Sequence, residues 1–175
     1  MASSDLRQRC LDRLAALDLP YGFNSRHLLD AVSRLRGKPV EVKSIDTLPL
    51  RGQTCGWRVE LHDKEVIVFA AGTSKMHQYH ILAHEVGHIL CDHPGLSGDE
   101  VPPDVLLAVG IEPHGVLRVS GRCGHSPEDE TEAEMLGTLL RQRMYRETLL
   151  PPEEPTGPDA RWKAAFTRPI KERRT

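Results

Sequence analysis

Apolar residues recur at helical spacing near the start of the chain, where Leu6, Leu11, Leu14 and Ala15 predict a short amphipathic helix over Asp5 to Leu17. The Leu19-Pro20-Tyr21-Gly22 stretch stops it. A second stripe, Leu28, Leu29, Val32 and Leu35, follows Asn24 as helix cap and ends at Gly37 and Pro39. After Pro39 the period changes to two. Val40, Val42 and Ile45 alternate with polar residues, and Trp57–Leu61 and Glu65–Ala70 read as a hairpin across His62-Asp63-Lys64. These strands predict a small sheet with the first two helices covering one side.

Helical periodicity returns from Ser74 to Cys91, with Met76, Ile81, Leu82, Val86, Ile89 and Leu90 apolar and Pro94-Gly95 beyond the end. Residues 95–125 are rich in Pro and Gly; Val105–Val109 reads as helical and Val116–Val119 as extended. Ser126 as N-cap, Pro127 at the first helical position and Asp129 three residues after the cap open a last helix running to about Tyr145. The Pro-rich 151–158 stretch and the basic residues from Arg161 onward predict a linker and a mobile tail. The organisation is one α+β domain over residues 1–148 and a Pro-rich linker with a basic tail over 149–175.

Composition removes several function classes. A chain of 175 residues with 39% hydrophobic and 27% charged residues suits a single globular domain. Its formal charge of −2 argues against direct nucleic-acid binding. With no long apolar run and no export signal at the N-terminus, the expectation is a cytoplasmic protein without membrane association. The four cysteines (Cys10, Cys55, Cys91, Cys123) are widely spaced, which predicts free thiols. Histidine is the unusual residue: five of the nine fall between His77 and His93.

Within that cluster stands His84-Glu85-Val86-Gly87-His88. Two histidines at i and i+4 on one helical face reach a single tetrahedral zinc, and the intervening Glu85 lies beside the open position as a catalytic base. A third ligand is expected from the last helix. Glu132 is the preferred choice, because its neighbours at i+3, i+4 and i+7 are Met135, Leu136 and Leu139, and a carboxylate facing a core requires a cation. Glu130 and Glu134 are placed on the other side of that helix and Glu128 in its first turn. His93, five residues after His88, is the competing ligand. His125, just before the last helix, and His80, one turn before His84, are candidates to stabilise an oxyanion, or equally to orient a ligand or sit at the surface. Strand Glu65–Ala70, leading into the histidine helix, is the expected edge for an extended substrate.

His84-Glu-Val-Gly-His88 and Glu132-Ala133-Glu134, followed by Leu136, Leu139 and Leu140, resemble the ImmA/IrrE-like zinc metallopeptidases, especially actinobacterial members. In these, runs like Arg36-Gly37-Lys38-Pro39 and His77-Gln78-Tyr79-His80-Ile81 flank the sheet and lead into the motif. The resemblance covers roughly residues 24 to 146 and implies a zincin-like fold, zinc held by His84, His88 and Glu132, and Glu85 as base. It also implies an intracellular peptidase whose protein or peptide substrate is a helix-turn-helix DNA-binding repressor or antitoxin. Glu134 stands where the family usually has Asn or Asp, and the His88 to Glu132 connection is longer than in compact members. Two other readings accompany this one: a regulatory module that retains the fold and binds a partner without proteolysis, and a zinc hydrolase of small peptides or amide natural products.

Overall fold

Asn24 and Gly37 bracket the second helix as their chemistry requires. In a computed structural model, which describes residues 2–46, 56–121 and 125–150, α1 spans Ala2–Ala15 and α2 spans Ser25–Arg36. The Asn24 side chain accepts from the His27 N–H (3.1 Å), while His27 Nδ1 accepts from the Asn24 N–H (3.3 Å), closing the helix start reciprocally. At the other end Gly37 takes φ 69°, the left-handed conformation that glycine adopts without a Cβ clash. The predicted linker and tail from residue 151 onward, and Cys55 and Cys123, lie outside the described residues.

Strands β1 (Val40–Ile45), β2 (Gly56–Leu61) and β3 (Glu65–Ala70) are followed by helix α3 (Lys75–Cys91). Then come β4 (Leu96–Ser97), a 3₁₀ turn (Gly98–Glu100), α4 (Pro103–Ala108), β5 (Val116–Ser120) and the long α5 (Pro127–Leu149). The sheet order is β1-β3-β2-β5-β4, with β1 parallel to β3 and the other pairs antiparallel. The chain is therefore α+β, a small mixed sheet packed on helices. No helix among the described residues is long and apolar enough to cross a membrane.

One sequence expectation is overturned by this order. Strand Glu65–Ala70 is hydrogen-bonded on both sides, to β1 and to β2, so it offers no edge to a substrate. Its near-continuous apolar run, Val66-Ile-Val-Phe69, is the mark of a strand buried on both faces rather than of an edge. Ile67 and Phe69 join the larger core, which α1, α2, α3 and α5 complete with Leu14, Val32, Val86, Ile89, Leu136 and Leu140. Val66 and Val68 face a second core with Trp57, Val59 and Val119, closed by Leu106, Val109 and Ile111 from α4 and the segment after it.

Charge is also buried in this sheet. Glu60 and Glu65 are cross-strand partners, a like-charge juxtaposition that would be destabilising alone. Arg58, 1% exposed, donates to Glu65 (2.7 Å), and Arg36 donates to the other Glu65 oxygen (2.8 Å). Glu60 accepts from Lys38 (2.8 Å) and Arg118 (2.6 Å). Arg118 and Arg36 both reach Asp92, the left-handed residue that ends α3, at 2.7 and 3.2 Å. Arg58 also donates to the His93 carbonyl (3.4 Å). The network thus fastens the C-terminal end of α3 to the sheet.

Burial pushes the Glu60 carboxyl up, but hydrogen bonds from Arg118 and Lys38, with the charges of Arg118 and Arg58, outweigh it and hold the group at about 2 instead of 4.5. A carboxyl depressed in the folded state contributes stability that is complete above its unfolded value and lost as pH falls. Melting temperature is therefore expected to drop as pH is lowered from 4.5 toward about 2. A thermal-denaturation series checks this: the acid limb is expected to be shallower in Glu60→Gln than in the parent.

Candidate metal centre

Ser74 starts α3 by accepting the His77 N–H (3.2 Å), and seventeen residues without proline carry the helix to Cys91. The i, i+4 spacing then sets the His84 and His88 rings side by side, with Nε2 atoms 3.0 Å apart. His88 is 1% exposed. Burial, reinforced by the neighbouring His125, His84 and His93, pushes its imidazole down to about 2, so it is neutral at physiological pH. A neutral imidazole is the form that ligates a metal.

Helix α5 crosses α3 at very short range. A Cβ placed on Gly87 would lie 2.7 Å from the Ala133 carbonyl oxygen and 2.9 Å from its Cα. One turn further along α5, a Cβ on Gly137 would lie 3.2 Å from the His84 amide nitrogen. Small residues at both crossings let the backbones approach and carry Glu130 over the two imidazoles. Its carboxylate oxygens are 3.5 Å from His84 Nε2 and 3.7 Å from His88 Nε2. Ligand atoms of a tetrahedral zinc with bonds of about 2.0–2.1 Å lie roughly 3.3 Å apart, so the three donors match such a site closely. Glu130 Oε1 is buried without a hydrogen-bond partner, an orphan that a cation would satisfy. Among the described residues His84, His88 and Glu130 form one group able to hold a metal ion. Because Gly87 meets backbone, Gly87→Ala is expected to force the helices apart, costing about 1–3 kcal/mol. Chemical denaturation reads that loss, and a metal titration of the same variant should show weakened binding.

Glu132, the ligand expected from the sequence, is elsewhere. Its Oε2 is 3.3 Å from His93 Nε2 and its Oε1 is 3.8 Å from Arg13, and it groups with Cys91 and His93. The physical reason is the close crossing. Where helices nearly touch, the contact face is marked by small residues, Ala133 and Gly137, and not by the large apolar residues that surround Glu132. Glu130, Ala133, Glu134 and Gly137 follow one another at i, i+3, i+4 and i+7, and this is the face turned to α3. The Gly87 inside the motif was the available signal, since a glycine within a helix invites a close neighbour.

Glu85 is buried, and its Oε2 has no hydrogen-bond partner. Burial, with the Glu130 charge adding and Arg58 opposing, raises its carboxyl from 4.5 to about 8. Gly56, at the start of β2, makes room for it: a Cβ there would strike Ile81 and sit 3.0 Å from Glu85 Oε1. His125 lies flat on the His88 ring, centroids 3.9 Å apart and 13° between planes, with both of its nitrogens buried and unpartnered. Burial and the neighbouring His93 lower its imidazole to about 4, in spite of Asp129. His84 Nδ1 lies 3.5 Å from Glu134, whose carboxylate also stands 4.0 Å from His80. A carboxylate behind a ligating histidine fixes the tautomer that presents Nε2 to a metal. His80, His84, Glu85, His88, Glu130 and Glu134 all face one open cavity of about 520 Å³, floored by Gly56 and Gly121.

No protein-family model, curated protein or solved structure matches the chain. What the fold and site define is therefore a class: an α+β chain with a candidate metal centre where two helices cross, opening on a cavity. Glu130 and Glu134, expected on the far side of the last helix, instead face His84 and His88 because the small-residue face of α5 is the one turned to α3, and neither Gly56 nor Arg58 was expected near the site from the sequence.

Proposed function

We propose that the chain is a zinc-dependent peptidase in which His84, His88 and Glu130 hold the metal and Glu85 is the general base. The observation that carries this reading is the convergence of two imidazole nitrogens and a carboxylate on one point beside a second, buried and unpartnered carboxylate. Three protein ligands leave a fourth position for water, the arrangement of a catalytic rather than a structural zinc site. When bound, zinc supplies Lewis acidity, lowering the pKa of its water and polarising a scissile carbonyl.

The chain's own residues do the rest. Glu85 takes the water proton at a carboxylate oxygen and returns it to the leaving amine. Burial raises its proton affinity, and a cation held by His84, His88 and Glu130 would oppose that rise and keep the carboxylate ionised for the first transfer. Glu134 orients His84 through Nδ1. His80, which lines the cavity, and His125, packed against His88 with both nitrogens unpartnered, are the candidates to donate to the developing oxyanion. The cavity over the histidines is where a peptide segment would enter, and the substrate class supported by the family resemblance is a helix-turn-helix repressor or antitoxin.

Incubation with a proteome-derived peptide library, with new termini read by mass spectrometry, tests the activity. Cleavage is expected to vanish with a chelator, to return with zinc, and to fall at least about 100-fold in Glu85→Gln while zinc content stays unchanged. Cleavage that persists in zinc-loaded Glu85→Gln would contradict the assignment of the base. A zinc-loaded parent that releases no new termini would instead favour a partner-binding module.

A further inference from the structure

In the proposed centre His88 would ligate through Nε2, and its other nitrogen already has a partner. His88 Nδ1 lies 2.9 Å from His93 Nδ1, and His93 Nε2 lies 3.3 Å from Glu132 Oε2 and 3.5 Å from Asp129 Oδ1. The His93 backbone is fixed at both ends: its N–H donates to the His88 carbonyl (3.1 Å) and its carbonyl accepts from Arg58 (3.4 Å). At 4% exposed, the residue has little access to bulk water as an alternative partner.

One proton per neutral imidazole fixes the direction of these hydrogen bonds. A neutral imidazole has one N–H and one lone pair. If His88 gives its Nε2 lone pair to a metal, its proton sits on Nδ1 and must be donated to His93 Nδ1. His93 must therefore carry its own proton on Nε2, where two carboxylates wait to accept it. From these contacts we infer that His93 and Glu132 are positioning residues, a relay that holds His88 in its ligating tautomer. The inference rests on the zinc-centre reading above and extends it.

One proton per imidazole also constrains the second group able to hold a metal, Cys91, His93 and Glu132. Metal at His93 Nε2 would put the His93 proton on Nδ1, facing His88, and would oblige His88 to turn its lone pair inward and lose its own metal. The two groups are mutually exclusive. Arg13 beside Glu132 further disfavours a cation there. The Cys91-His93-Glu132 cluster is thus the outer half of one centre and not a second one.

Cobalt titration of the full chain, followed by absorption spectroscopy, tests the relay. The parent is expected to bind one equivalent with no thiolate-to-cobalt charge-transfer band, and Cys91→Ser to behave identically. His93→Leu is expected to bind about 10–100-fold more weakly. His93→Gln, which keeps an acceptor toward His88 and a donor toward Glu132, is expected to recover most of that loss, a rescue that mere filling of the space would not produce. Parental affinity in His93→Leu would overturn the relay and leave the metal centre standing. A second equivalent with a thiolate band that disappears in Cys91→Ser would overturn it by making His93 a ligand. A parent that binds no cobalt would remove centre and relay together. Should His93→Leu fail to fold, nitrogen-15 spectra of the zinc-loaded parent decide: protonated Nε2 on His93 is expected, and protonated Nδ1 would refute the relay.

Discussion

Replacement of Glu130 by alanine is expected to abolish stoichiometric zinc binding, whereas Glu132→Ala retains one zinc per chain with weakened affinity. Glu130 is the only carboxylate among the described residues whose oxygens approach both His84 Nε2 and His88 Nε2, at 3.5 and 3.7 Å. Its loss leaves two imidazoles and water. The affinity change should exceed the roughly 10–100-fold that follows removal of an outer hydrogen-bond partner, which is the role assigned to Glu132. Folding should survive the change, because Glu130 Oε1 is buried without a partner and its removal relieves an unsatisfied group. Elemental mass spectrometry on protein purified without a histidine tag distinguishes the two carboxylates. Retention of zinc by Glu130→Ala together with its loss from Glu132→Ala would reverse the ligand assignment.

The second large effect lies at Arg58. Arg58→Met is expected to destabilise the fold by about 3 kcal/mol, the cost of removing one of the two cations that hold a fully buried carboxylate. Glu65 is 0% exposed and would keep only Arg36, and Glu60, its cross-strand neighbour, would lose one of its cations. Denaturant unfolding measures the loss. Because Arg58 also donates to the His93 carbonyl, metal affinity should fall in the same variant even under conditions where it is fully folded. The double variant Arg58→Met, Glu65→Leu should recover much of the stability, since apolar replacement of a whole buried pair removes the desolvation cost instead of exposing it. An unchanged midpoint in Arg58→Met would show that the network is solvated and structurally dispensable.

Local signals of the fold were legible where chemistry is local. Asn24, Ser74 and Ser126 stand at helix starts and accept the N–H groups that α2, α3 and α5 leave free. Gly37 ends α2 for the reason that selects glycine anywhere a left-handed residue is needed. The strand Val40–Ile45 and the hairpin turn at 62–64 likewise followed from side-chain period, although Val42 is exposed. Strand order did not, because β1 pairs directly with β3, passing over β2 in the sequence, and no residue along β3 records which neighbours flank it.

At the site, the pairing of His84 with His88 was legible through spacing, and the structure brings Glu130 rather than Glu132 over them for a reason that generalises. Apolar periodicity finds the face of a helix that meets side chains; it misses the face that meets another backbone, where Ala133 and Gly137 are as small as the approach demands. Glu132 does sit at the edge of the apolar stripe, and its charge is met by Arg13 and His93 and not by the ligand pair. His125 stands against His88, next to the ligands, although nothing before Ser126 in the sequence specifies the ring stacking that puts it there. Arg58 escaped notice because an arginine within an apolar strand reads as a solvent-facing residue unless the two glutamates that surround it are placed in three dimensions.

The central claim is the identity of the three ligands, and zinc-edge X-ray absorption on the zinc-loaded protein tests it most directly. The account predicts a coordination sphere of nitrogen and oxygen alone at about 2.0–2.1 Å, with the multiple-scattering signature of two imidazoles. A sulfur contribution at about 2.3 Å would place the ion at Cys91 with His93 and Glu132, and would contradict it.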